Sequence, residues 1–345
     1  MSSPTPAGLG YRMPAEWEPH AATWFSWPRP EGISFPDCYE SVLPALVQMI
    51  DALRESEPVN INVPNIDVEQ MVRSQLSSID ISHVSFRHIP TNECWCRDHG
   101  PIFVKRDSDP SIAIIDWDYN AWGWKYPPVD FDENVPTRVA ELLGLDVFYP
   151  KIVMEGGSID VNGTGTLLTT SSCLLHPNRN PDLTKCQIEQ KLRDYLGVRH
   201  FLWLGDGIVG DDTDGHIDDI ARFIDRSTIV TVVEEDTHDA NYEPLQHNLN
   251  LLKEMQIEDG TPIHLLTLPM PSAVVKEDQR LPASYANFYI ANKVVLLPIF
   301  NQPTDVWATA VLQQAFPTRR VVGIDCRELI WGLGAFHCLS QQQPA

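Results

Sequence analysis

Between Tyr39 and Leu53 the apolar residues Val42, Leu43, Leu46, Met49, Ile50 and Leu53 recur every three or four positions, which lines one face of an α-helix. Val59–Val63 alternates apolar and polar residues as a strand does, and Pro64 ends it because proline has no N–H to give a ladder. A helix over about 68–76 and a strand at 84–88 follow. The rhythm then repeats, with helices predicted near 137–143, 184–196, 242–255 and 304–315. The matching strands fall near 101–105, 112–116, 166–169, 199–204, 228–233, 263–268, 294–299 and 320–324, with a short one in 22–28 after an irregular opening. Alternating strands and helices predict an α/β fold, and the helix spacing suggests roughly five sub-units.

No Pro/Gly/Ser-rich linker or abrupt charge shift divides the chain, so one domain is expected over 1–345, with residues 1–12 flexible. A hydrophobic content of 43% supports a substantial core. The formal charge of −22 argues against nucleic acid, whose phosphates need a basic surface, and is compatible with a small cationic substrate. Seven scattered cysteines with no CxxC pair offer neither a disulfide framework nor a zinc site. The opening residues lack the basic and apolar regions of a signal peptide, and no apolar run is long enough to cross a membrane. The cytoplasm is the expected location.

Chemistry concentrates in four polar stretches. Thr91–Pro101 gathers Glu93, Trp95, Arg97, Asp98 and His99 just before an apolar strand, and Met154–Ser158 sets Glu155 beside two glycines. In Gly210–Asp219, His216 and Asp218 stand two apart, on one face of an extended segment. Near the end, Cys338 follows Trp331-Gly-Leu-Gly-Ala-Phe-His337. A cysteine nucleophile needs a neighbouring base or cation to become a thiolate, and His216 could serve. Carboxylates such as Asp98 and Asp218 match the planar fork of a guanidinium. A rival reading takes His216, Asp218 and His337 as the facial triad of a non-haem iron oxygenase, which leaves Cys338, Glu155 and Asp98 unused.

Motifs from residue 13 to 343 resemble those of agmatine deiminases. They include Met13-Pro-Ala-Glu-Trp-Glu-Pro-His20, Trp95-Cys-Arg-Asp-His-Gly-Pro101, Asn120-Ala-Trp-Gly123, Lys125-Tyr-Pro-Pro128 and Met154-Glu-Gly-Gly-Ser158. Leu167-Leu-Thr-Thr170, Pro177-Asn-Arg-Asn-Pro181, Gly215-His-Ile-Asp218, Ser284-Tyr-Ala-Asn-Phe-Tyr-Ile-Ala-Asn292 and His337-Cys-Leu-Ser-Gln-Gln342 complete the set. The resemblance implies the guanidino-group-modifying superfamily: a five-bladed α/β propeller of ββαβ units around a central active site. It also implies hydrolysis of agmatine to N-carbamoylputrescine and ammonia, in putrescine biosynthesis or agmatine catabolism. No cofactor or metal is implied, and the chain is expected to form a dimer or tetramer. Carried over by motif, Cys338 is the nucleophile, His216 transfers protons, Asp98 and Asp218 grip the guanidinium, and Glu155 orients His216. Trp95 would pack along the substrate's methylenes and Asn287 would contact substrate. Asn120 and Trp122 stand where the peptidylarginine branch places arginines for a carboxylate, so no cation is offered there. Asp212, with Asp211 beside it, could favour a terminal ammonium. The chain departs from the family pattern at Asp212-Thr213, at Asp160 and at Gly332-Leu-Gly-Ala335. A deiminase of peptidylarginine or of another guanidine compound is the alternative on the same fold.

Overall fold

A computed structural model describes residues 4–345. One unit recurs in it: a short strand, an antiparallel partner, a helix, and a third strand parallel to the second. The second blade is Ile102–Lys105, Ile112–Ile115, the helix Val135–Leu143 and Asp146–Phe148. The third is Ile159–Val161, Thr166–Thr170, Lys185–Leu196 and His200–Leu204. The fourth is Ala221–Phe223, Thr228–Val233, Tyr242–Glu254 and His264–Pro269. The fifth is Tyr289–Ile290, Val294–Ile299, Thr304–Ala315 and Arg320–Asp325.

The first blade joins the two ends of the chain. The C-terminal strand Ser340–Pro344 lies antiparallel to His20–Ser26, which runs parallel to Val59–Val63, and that in turn to Val84–His88. Trp24 Nε1 fastens the closure by donating to Gln343 Oε1 at 2.9 Å. The chain thus forms the five-bladed α/β propeller expected from its motifs.

The helices carry their own stop and start signals. Thr184 and Gln187 form a reciprocal capping box at the start of Lys185–Leu196, and Gly197 ends that helix in the left-handed region. The middle strands are buried on both faces, which is why Val294–Ile299 reads as an unbroken apolar run. Val59–Val63 looks half-polar, yet Asn60 and Asn62 are buried too, Asn62 donating to Ser26 Oγ at 3.2 Å.

Of the segment expected to be flexible, residues 7–9 form a single 3-10 turn, Ala7–Leu9, and residues 1–3 lie outside the described residues. Tyr11 is buried against Phe148 and donates to the Pro110 carbonyl at 2.8 Å, while Arg12 bridges Lys105. Burial of that ring and the backbone pairing offset the entropy of ordering the segment. No helix among the described residues is long and apolar enough to cross a membrane.

A one-turn helix precedes the first strand of four blades: Cys96–His99, Gly156–Ser158, Ile217–Asp219 and Phe336–Leu339. Residues 284–288 do the same for the fifth blade without forming a helix. These five connections aim their side chains inward.

Candidate active site

Gly157 marks the point where the connections meet. A Cβ there would lie 2.5 Å from His216 Nδ1, 2.7 Å from Asp98 Oδ1 and 3.1 Å from Asp218 Oδ2. Only a residue without a side chain lets the three approach. Its N–H donates to Asp98 Oδ1 at 3.0 Å, and Trp122 Nε1 donates to Asp98 Oδ2 at 3.0 Å. His216 Nδ1 stands 3.7 Å from Asp98 Oδ1 and 4.0 Å from Asp218 Oδ1. Cys338 Sγ accepts from Asn287 Nδ2 at 3.0 Å and faces Asp218 Oδ2 at 3.6 Å.

A cavity of about 570 Å³, its mouth included, opens onto Asp98 and Cys338 between the walls of Trp95, Trp122, Tyr126 and Trp331. The glycines before Cys338 let the chain cross the Trp95 ring. A Cβ on Gly334 would come within 2.6 Å of that ring and 3.0 Å of Cys338 Cβ. Leu333 between them has φ 68°, a conformation that costs a side-chain-bearing residue roughly 1 kcal/mol.

The local field is dominated by buried carboxylates. Burial pushes the Asp98 carboxyl up to about 6; His216 opposes this, while Asp218 and Glu155 add to it. For His216 burial acts downward, but Asp98, Cys173 and Asp218 outweigh it and hold the ring well above its usual range, as an imidazolium. Burial, then the charges of Asp218, Asp219 and Asp98, push the Cys338 thiol well up, so the resting site holds a thiol. Burial would raise Asp218, yet the His337 hydrogen bond and nearby cations keep it ionised.

His216 Nδ1 and Nε2, Asp218 Oδ1 and Glu155 Oε2 are buried without a hydrogen-bond partner among the described residues. Each such group costs about 1–3 kcal/mol while its bond is unmade. The free oxygen of Asp218 calls for a ligand that brings N–H donors.

The geometry brings together Cys338, His216, Asp98, Asp218, Trp95 and Trp122. Other side chains singled out from the sequence sit differently. Asn120 does not face the cavity: its amide accepts from Gly123 N at 2.8 Å and donates to the Asn178 carbonyl at 2.9 Å. Asn287 touches the cysteine sulfur, and its Oδ1 accepts from the N–H groups of His337 and Cys338 at 3.1 and 3.4 Å. Asp212 lines the mouth, but Lys125 Nζ lies 3.3 Å from its Oδ1 and the Tyr126 hydroxyl donates to its Oδ2. Asp211 accepts from the N–H of His216 at 3.1 Å and so supports the loop.

Glu155 is fully buried, with Oε1 held by Arg179 Nε at 2.6 Å. Arg179 continues to Asp214 at 2.7 Å and the Thr213 carbonyl at 2.9 Å, clamping the Glu155 turn to the loop that carries His216. Sequence reasoning missed this arginine, which lies in the Pro177-Asn-Arg-Asn-Pro181 motif, and also missed Cys173 and Glu16. Asp160, a departure from the family pattern, pairs with buried Arg222 at 3.1 Å.

Two groupings could be taken for metal sites. Atoms of Glu155, Cys173 and His216 lie within 4.8 Å of one another, but the Arg179 guanidinium already supplies their cation, 4.0 Å from Cys173 Sγ. The iron triad fails on His337, whose Nδ1 and Nε2 are taken by Asp218 at 2.6 Å and Glu16 at 2.8 Å, leaving no lone pair for a metal.

This chain resembles proteins of known structure along its whole length. Superposition on the agmatine deiminase of Enterococcus faecalis gives a TM-score of 0.92 at 33% identity, covering 100% of this chain and 98% of that one. A C. jejuni agmatine deiminase with substrate bound gives 0.88 at 31% identity, covering 97% and 96%. A Legionella pneumophila protein provisionally named agmatine deiminase is 35% identical over 340 residues, 98% of this chain and 97% of its own. Residues 12–344 match the family model described as Porphyromonas-type peptidyl-arginine deiminase, and the chain belongs to that family.

Proposed function

We propose that this protein is an agmatine deiminase that hydrolyses agmatine to N-carbamoylputrescine and ammonia through a covalent adduct on Cys338. The observation that carries the reading is the meeting of Cys338, His216 and two buried carboxylates around Gly157, where Asp218 Oδ1 has no partner and where Asp98 and Cys338 line an aromatic-walled cavity. A planar guanidinium offers the N–H donors that this acceptor lacks. Trp95 and Trp122 suit the methylene chain, and Asp212 at the mouth suits a terminal ammonium.

The chemistry follows from the field. The carboxylates keep Cys338 protonated until a cation arrives; the guanidinium supplies that charge and favours the thiolate, the thiol proton passing out to solvent. The thiolate attacks the guanidinium carbon while Asp98 and Asp218 hold its nitrogens. The His216 imidazolium donates its proton to the departing nitrogen, which leaves as ammonia, and a thiouronium remains on Cys338. The now neutral His216 takes a proton from water and the water oxygen adds to the same carbon; the new hydroxyl then releases its remaining proton to solvent as the C=O forms and the C–S bond breaks to return the thiolate. A small cationic molecule is therefore the partner of this site, and the steps require no cofactor.

Ammonia release should be measured with agmatine, free arginine and peptides ending in arginine. Turnover with agmatine foremost is expected. Arginine or a peptide turned over equally well would replace the substrate while leaving the cysteine chemistry standing.

A further inference from the structure

We propose that Glu16 is a positioning residue that acts through His337 to hold Asp218 ionised and aimed at the substrate. The proposal rests on the deiminase reading and adds a residue from the opposite end of the chain. His337 Nδ1 lies 2.6 Å from Asp218 Oδ2, and its Nε2 lies 2.8 Å from Glu16 Oε2. All three side chains are buried. An ionised carboxylate only accepts hydrogen bonds, and a neutral imidazole donates from one nitrogen only. With acceptors at both ends, the ring carries both protons.

Glu16 stays an acceptor because of what surrounds it. Its Oε1 accepts from the N–H of Ile290 at 2.8 Å with the Arg222 guanidinium 2.9 Å away as an ion-pair partner, and its Oε2 accepts from Arg97 at 3.2 Å beside His337. Arg222 also pairs with Asp160 at 3.1 Å, and Arg97 donates to Gln342 at 2.8 Å. The carboxylates of Glu16, Asp160 and Asp218 therefore face the guanidinium groups of Arg97 and Arg222 and the doubly hydrogen-bonded ring of His337. Buried charges are tolerable only when paired and hydrogen-bonded in this way.

Two consequences reach the reaction. Asp218 Oδ2 is committed to His337, so Oδ1, which has no partner among the described residues, is the oxygen left for a guanidinium. The imidazolium also sets a positive charge one residue from Cys338, offsetting the Asp218 carboxylate 3.6 Å from the sulfur.

Glu16→Gln tests this sharply. Each oxygen of Glu16 accepts from at least one N–H, Oε1 from Ile290 and Oε2 from Arg97 and His337, so a carboxamide must turn its NH₂ toward an N–H group wherever it is placed. The strain is relieved when His337 gives up its Nε2 proton and accepts instead. Nitrogen-15 spectra of histidine-labelled protein at the assay pH, with the His337 signals assigned by their loss in His337→Gln, read the protonation directly. The wild-type ring should show both nitrogens protonated and the Glu16→Gln ring only one, with kcat on agmatine falling about ten-fold or more. A singly protonated ring in the wild type overturns the proposal, even if the variant fails to fold. A folded Glu16→Gln protein with unchanged kcat overturns it too. Absence of agmatine turnover in the wild type would count against the substrate and leave the nitrogen spectra to decide the proton.

Discussion

Replacing Asn287 by alanine separates a contact with the nucleophile from a contact with the substrate. Its Nδ2 is 3.0 Å from Cys338 Sγ and 2.9 Å from Asp219 Oδ1, and the side chain does not line the cavity. Around the sulfur, burial and the charges of Asp218, Asp219 and Asp98 all oppose ionisation, while the Asn287 bond favours it. A hydrogen bond to a charged group contributes about 1.5–3 kcal/mol. At a factor of about ten per 1.4 kcal/mol, Asn287→Ala should lower kcat for ammonia release about 10- to 150-fold and leave KM for agmatine nearly unchanged. Inactivation of Cys338 by a haloacetamidine should slow in parallel and shift to higher pH. Asn287→Asp keeps the acceptor for the His337 and Cys338 N–H groups but sets a carboxylate against the sulfur, so it should be the slower enzyme despite its closer shape. A loss confined to KM, or a kcat within about three-fold of the parent (less than about 1 kcal/mol), would refute the role given to this amide.

Gly157→Ala should remove at least about 99% of activity in a protein that still gives a native circular dichroism spectrum. The added methyl displaces His216 and Asp98 together, and small misplacements of reacting groups cost about a hundred-fold; near-normal turnover would contradict the convergence on this residue. Lys125 offsets the charge of Asp212, so Asp212→Asn should shrink the agmatine-to-arginine ratio of kcat/KM by only about ten-fold or less, and Lys125→Met should widen it. Unchanged ratios in both would remove Asp212 from substrate choice. Burial pushes the Asp132 carboxyl up to about 8 from 3.8, so the folded chain holds a proton there that the unfolded chain releases. Stability from this group is fully present below 3.8 and is lost as pH rises toward about 8. Asp132→Asn, whose oxygen can still accept from Asn92 and Glu93, should melt higher than the parent near pH 8 and lose that advantage near pH 4; parallel melting curves across pH would contradict this.

The long elements are legible in the sequence because their periodicity is local. The helix Thr304–Ala315 and the strand Val59–Val63 lie where apolar spacing places them, each run being long enough to show its period. Two of the blades' first strands are not legible in this way: Ile159–Val161 and Tyr289–Ile290 have three and two residues. The closing strand Ser340–Pro344 reads as a polar tail because its glutamines bond inward, Gln342 to Arg97 and Gln343 to Trp24. The site divides along the same line. Cys338, His216, Asp98 and Asp218 each stand in a compact motif. Glu16 meets His337 across 321 positions, a pairing that exists only once the blades close, and Arg179 meets Glu155 across 24, a pairing made by the folding of the third blade. Asn120 misleads because its stretch matches by motif while its amide is used to hold a tight turn.

The central claim is that deimination passes through a covalent bond to Cys338, and mass analysis of protein quenched in acid during agmatine turnover tests it most directly. A species heavier by agmatine less ammonia is expected, mapped by proteolysis to the peptide holding Cys338 and missing from Cys338→Ser protein. An adduct on any of the other six cysteines, or undiminished ammonia release from folded Cys338→Ala protein, would contradict it.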